Sequence, residues 1–192
     1  TPTFRGTPDA DMDLPEAWDL TTGSDQVIIA VIDSGVDYTH PDYTHPDLST
    51  NIWDNGSDPW SNRLVPSSGN GADDDGNGYS DDFHGWNFVG TQDNSACPLT
   101  CDCSDDDPVG NNNSMDDLGH GTHVAGIAAA AGDNGLGIVG VLWNAKIMPL
   151  KILDANGCGS IGDEIQAIEY AIGHLQTIRQ TQSNARMVIN AS

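Results

Sequence analysis

The sequence predicts an α/β domain of the doubly wound kind, a mostly parallel sheet with helices on both faces. Three observations predict it. Residues 27–32 (VIIAVI) are six consecutive apolar, mostly β-branched residues, the pattern of a strand buried on both sides of a parallel sheet. Two later segments, AKIMPLKIL at 145–153 and RMVIN at 186–190, read as further strands. Stretches with helical character separate them, and strand–helix alternation with right-handed crossovers builds this architecture.

Taken in order, residues 1–11 read as an extended arm with prolines at 2 and 8. LPEAW at 14–18 reads as a short helix, with Asp13 as its cap and Pro15 in the first turn. Residues 38–115 are dominated by Asp, Asn, Gly, Ser and Pro, and only GWNFV at 85–89 looks strand-like. So long an irregular stretch needs an outside source of order, for which disulfides and metal ions are the candidates. A tandem YTHPD, at 38–42 and 43–47, reads as a local duplication that lengthens this loop. Gly121 to Ala131 predicts a helix of small residues suited to close packing. The stretch 161–178 places apolar residues at 161, 165, 168, 172, 175 and 178, predicting a helix that buries this stripe.

Composition narrows the function classes. The chain has 192 residues, enough for one domain, with 29 Asp plus Glu against 6 Lys plus Arg. That imbalance excludes nucleic acid as a partner, because phosphates would go unneutralised. No run approaches the roughly 18 apolar residues of a membrane span. Nearly all the acids are Asp, a residue of turns and caps whose carboxylate also suits hard cations. Elsewhere the acidic surface is expected to keep a secreted protein soluble. Four cysteines, Cys97, Cys101, Cys103 and Cys158, are expected to form two disulfides, with three connectivities open. At least one bridge should reach Cys158, since adjacent pairs within so short a loop would be strained. Zinc is the alternative, weakened by the lack of a C-x-x-C unit.

Two motifs carry chemistry. Asp33 closes the first strand and precedes Ser34-Gly35, a tight turn at the end of a parallel strand, where functional residues gather. A buried carboxylate there can accept an imidazole N–H, fixing its tautomer and stabilising its charged form. His120 lies in GHGTHVAG (119–126), at a helix start flanked by glycines. Singly, the Asp reads equally as a turn former, and His120 with His123 as a metal pair or cap. Together, in this order, they specify an Asp–His pair. A zinc hydrolase built on His120 and His123 would lack both the HExxH spacing and its general base.

On these motifs the chain resembles the subtilisin-like serine proteases. VIIAVIDSGVDYTHPD matches their Asp region and Asp116 with GHGTHVAG their His region; similarity extends through LPEAWDLTTGS, GLGIVGV, KIMPLKIL and MVINAS. The resemblance implies that residues 1–192 are the N-terminal portion of one such catalytic domain, from a secreted serine endopeptidase. Asp33 would orient His120, which would serve as general base and then general acid; His123 would stand outside the triad, in packing or helix stabilisation. Residues 153–159 and the strand entering Ser192 would pair with an extended peptide substrate, so that Gly157, Cys158, Gly159 and Ser192 line the cleft. The family's nucleophile Ser and oxyanion Asn fall downstream of Ser192. This chain alone is therefore expected to be inactive, with a C-terminal fragment of the same protease as its companion; a truncated fragment and a pseudoprotease are the alternatives. The rival from another class is a non-catalytic calcium-binding scaffold or adhesion module.

The acidic loop DDDGNGYSDD at 73–82 follows the first half of a calcium loop. Asp73, Asp75 and Asn77 would supply side-chain oxygens, Gly78 the turn and Tyr79 a carbonyl, with Asp81 or Asp82 closing the shell. His84 stands where an EF-hand has its last Glu, so this is not a complete EF-hand. The family resemblance implies a second Ca²⁺ site at the Asp of HPD-L. Asp42 and Asp47 compete for it; Leu48 follows Asp47, which is therefore preferred, with the loop 133–135 as its partner.

Overall fold

The computed structural model describes residues 12–38, 47–56, 69–90 and 110–192. The elements run α1 (Leu14–Trp18), β1 (Val27–Asp33), β2 (Trp86–Asn87), α2 (His120–Ala129), β3 (Lys146–Lys151), α3 (Ile161–Thr181) and β4 (Arg186–Ala191). The strands form one sheet in the order β2-β3-β1-β4, and every pairing is parallel. The predicted α/β architecture is thus the one observed.

Alternation along β1 divides the interior in two, because successive side chains of a strand point to opposite faces. Ile28, Ala30 and Ile32 join Met148, Leu150, Trp86 and Phe88 beneath Ala167, Tyr170 and Ala171 of α3. Ile29 and Val31 join Ile147, Val36 and Leu48 beneath Ala125 and Ala129 of α2. Small residues on both helices let them approach the sheet closely. Pro149 is tolerated in β3 although that strand has neighbours on both sides. Ile147 pairs with the bridge at Ile52 and β2 begins only opposite Leu150, so the missing N–H falls in the gap between them.

Two local expectations need correction. Asp13 occupies the position before α1 in a left-handed conformation (φ 51°), and its side chain makes no capping bond; its carbonyl starts the helix instead. The predicted buried stripe of α3 is also rotated. Its buried residues are Asp163, Ala167, Tyr170, Ala171 and His174, while Ile161, Ile165 and Ile172 are exposed. Only Ile168 and Ile178 of the expected stripe lie against the core. The cause is polar. Tyr170 and His174 both bond the buried Asp82, and that anchor outweighs the outward isoleucines.

Candidate active site

In register, Asp33 at the end of β1 lies opposite Lys151 at the end of β3, and Ile32 opposite Ala191 at the end of β4. Three carboxyl-terminal strand ends therefore converge, and Ser192 arrives beside Asp33. The Asp33 carboxylate is completely buried. It accepts the Ser34 backbone N–H at 2.7 Å and the Ser192 hydroxyl at 2.8 Å, and both its oxygens lie within 2.9 Å of His120 Nδ1. With Nδ1 donating to the carboxylate, the lone pair of Nε2 faces outward on a ring whose side chain is 51% exposed. The hydrogen bond donated to Asp33, and then the charge of that carboxylate, raise the His120 pKa above the ordinary imidazole value; desolvation opposes this and Asp116 adds to it. An imidazole more basic than usual is thereby held at the surface in one tautomer.

The glycines around this pair are there for proximity. A Cβ on Gly121 would stand 2.1 Å from the Gly35 carbonyl and 3.1 Å from Asp33 Cβ, so nothing larger lets α2 reach the β1 turn. Gly119, at φ 95°, offers no side chain to cap α2. Asp116 takes over that task. Its carboxylate accepts the N–H groups of Leu118, Gly119 and Thr122, together with the hydroxyls of Thr122 and Ser34. The Ser34 hydroxyl in turn accepts the Gly121 N–H. Burial alone would raise the Asp116 carboxyl, but the bonds from Thr122, Gly119 and Ser34 outweigh it and hold its pKa below the ordinary value. Sequence reasoning missed this collar and the role of the Ser192 hydroxyl. The signal was available: a carboxylate three and six residues before backbone amides at a helix start.

The other predicted residues fall as follows. His123 is exposed on α2, so it does not pack in the interior. Residues 154–158 close a turn on themselves: the Asp154 carboxylate accepts from Asn156 and Cys158, and Asp154 and Cys158 are also joined by a backbone bond of 2.8 Å. Both backbone polar groups of Cys158 are thus engaged within the turn that carries Gly157, while Gly159 packs against the Ile152 carbonyl. No described cysteine is free. Cys97, Cys101, Cys103 and Asp42 lie outside the described residues.

In the acidic loop, Asp73 accepts three loop amides, from Gly76, Asn77 and Gly78, and Asn77 Oδ1 accepts the Tyr79 N–H. Asp81 instead binds the amides of Asn70 and Gly71. Asp75 and Asp82 are brought together, since the side-chain amides of Asn55 and Asn77 each donate to both carboxylates. Asp82 is fully buried and also accepts from Tyr170 at 2.6 Å. Among the described residues no three His, Cys, Asp or Glu side chains converge as a metal-binding group. The loop supplies hard oxygen donors, the chemistry Ca²⁺ takes, but here they are turned to amide donors. Asp47 is likewise buried. Of the predicted loop 133–135, Asn134 donates to Asp47 at 2.8 Å, and the Ile138 N–H, beyond that loop, donates at 2.9 Å.

Comparison with known proteins follows the same lines. The subtilase family model matches residues 24–192. The chain is 37% identical over 155 residues to the thermophilic serine proteinase of Bacillus sp. (strain AK1), covering 81% of this chain and 25% of that protein. It is 33% identical over 156 residues to halolysin of Haloferax mediterranei, covering 81% of this chain and 20% of the relative. A shorter match, 54% over 61 residues, joins it to the cell wall-associated protease of Bacillus subtilis, covering 32% of this chain and 7% of that protein. The chain therefore spans a quarter or less of these relatives. The fold, the Asp33–His120 geometry and this match together place the chain in the subtilase family.

Proposed function

We propose that this chain supplies the aspartate and histidine of a secreted, calcium-stabilised serine endopeptidase, the nucleophilic serine residing on a C-terminal segment of the same protease. The observation that carries the reading is the His120 ring, bonded through Nδ1 to a buried carboxylate and open at Nε2. In peptide hydrolysis Nε2 takes the proton of the serine hydroxyl as it attacks the carbonyl, then delivers it to the leaving amine. Asp33 stabilises the imidazolium and fixes its tautomer. The Ser34 amide and Ser192 hydroxyl hold Asp33 while this happens. The peptide would lie as an added strand along residues 157–159 and the end of β4.

Calcium would be held by Asp73, Asp75, Asn77, the Tyr79 carbonyl and Asp82 only after the side-chain oxygens turn from the amide donors they face in this structure, and at a second place by Asp47. Its chemistry here is structural, neutralising carboxylates in irregular segments. A disulfide at Cys158 would stiffen one cleft wall. Supporting an extracellular setting is a relative named as cell wall-associated. Among the described residues no helix is long and apolar enough to cross a membrane.

The test is a denaturing intact mass of the purified protein after treatment with a fluorophosphonate. A second polypeptide, or a longer form of this one, carrying the adduct is the expected result. A single unlabelled species at this chain's own mass would sink the proposal of an assembled enzyme.

A further inference from the structure

Lys151 is the one lysine of the converging strand ends, and its side chain is only 3% exposed. Burying an ammonium is costly unless all its donors are met. Here they are met three ways. Nζ donates to the Ser34 carbonyl at 3.0 Å, the Leu153 carbonyl at 2.5 Å and Asp117 Oδ1 at 2.8 Å. Each acceptor belongs to a different working part. Ser34 follows the Asp33 carboxylate, Asp117 lies three residues before His120, and Leu153 opens the 153–159 segment. By alternation Lys151 shares with Ile147 the face of the sheet covered by α2, the face on which Asp33 meets His120.

We infer that Lys151 is a positioning residue, locking the start of the substrate-pairing segment to the Asp33 turn and the His120 loop. The inference rests on the protease reading above and deepens it. Leu153 leaves the sheet with its N–H directed to the Asp33 carbonyl at 3.3 Å and its own carbonyl held by Lys151. The next residue, Asp154, then folds the turn that presents Gly157 to Gly159. Backbone bonds from Ile152 and Leu153 to the Asp33 carbonyl tie this segment to β1, and the Lys151 ammonium adds the link to the His120 loop through Asp117. An apolar side chain would fill the space but leave two backbone carbonyls without a donor.

The test uses the complete protease and compares a single-residue ester with a peptide long enough to lie along 153–159. In Lys151→Met the ratio of kcat/KM for peptide over ester should fall about tenfold, as expected for loss of one or two positioning hydrogen bonds. A fall in Tm with an unaltered ratio would assign Lys151 to stability alone and overturn the inference. A proportional loss on both substrates would overturn it too, placing the effect on the Asp–His pair. Asp117→Ala, at a half-exposed position, decides the matter if the first variant does not fold: the same ratio should fall up to about threefold, and an unaltered ratio counts against the inference. Wild-type protein that neither cleaves the ester nor takes up fluorophosphonate rejects the protease reading itself, a result separate from any effect of Lys151.

Discussion

Among the described residues two carboxylates pair with imidazoles, and their differences show what makes one pair a candidate catalyst. Asp33 and Asp82 are both completely buried, and each bonds a histidine, at 2.8 Å to His120 and 3.1 Å to His174. His120 uses Nδ1 and leaves its far edge half exposed. His174 uses Nε2, is 7% exposed, and is walled by Trp53 and Tyr170, with ring centroids 5.0 and 4.2 Å away. The same chemical pair thus serves as an open base in one place and as a rivet between α3 and the acidic loop in the other. Access separates the roles.

The comparison can be broken most directly by substitution. In the complete protein His120→Ala or Asp33→Asn should lower kcat/KM by about ten-thousand-fold with little change in Tm, measured on an extended peptide. His174→Ala should do the reverse, costing about 3 kcal/mol in denaturant unfolding by leaving Asp82 without its ring partner, while the activity per folded molecule stays near wild type. Similar activity losses from both histidine variants would end the distinction. Chelation by EDTA should lower stability by about 3 kcal/mol if Ca²⁺ was present near 100 times its Kd; an unmoved Tm would dispose of both calcium sites.

Smaller effects sharpen the open pair. Asp116→Asn should cost about 1 kcal/mol at neutral pH, as loss of a charged helix cap does. Because folding lowers this carboxyl's pKa, its contribution is present above the unfolded value and is lost as pH falls through the folded one. The stability gap between wild type and variant should therefore close in acid. His120 has the opposite sign. Its raised pKa favours the folded state below the unfolded imidazole value, and that contribution fades as pH rises through the folded one. As a base the ring must be neutral, so the acid limb of kcat/KM should lie above that of an unperturbed imidazole. Asp33→Asn should move the residual activity's limb to lower pH.

How far the sequence reaches is clear from these same residues. β1, β3 and β4 announce themselves as apolar runs, and Asp33 and His120 sit in segments whose local spacing already implies a strand end and a helix start. The second pair has no such signal: Asp82 and His174 are 92 residues apart and meet only through packing. For the same reason apolar periodicity points to the wrong face of α3. Periodicity counts isoleucines, whereas the helix is oriented by two polar side chains reaching one buried carboxylate. Asp116 was legible as part of a motif, but its work as a remote cap depends on Gly119 having no side chain to do it.

The two-sided interior has one more consequence, for the lengths a lineage can explore. In β1 each position is committed to one helix layer by parity alone, and the seventh residue is Asp33. A single inserted or deleted residue would exchange the two interiors and carry the carboxylate about 3.3 Å along the strand, out of reach of His120. Five residues beyond Asp33, the sequence carries a whole duplicated pentapeptide. Tolerance of length change thus passes from none to ample within a few peptide bonds, so natural variants of this segment should differ in loop length and never in the count from Val27 to Asp33.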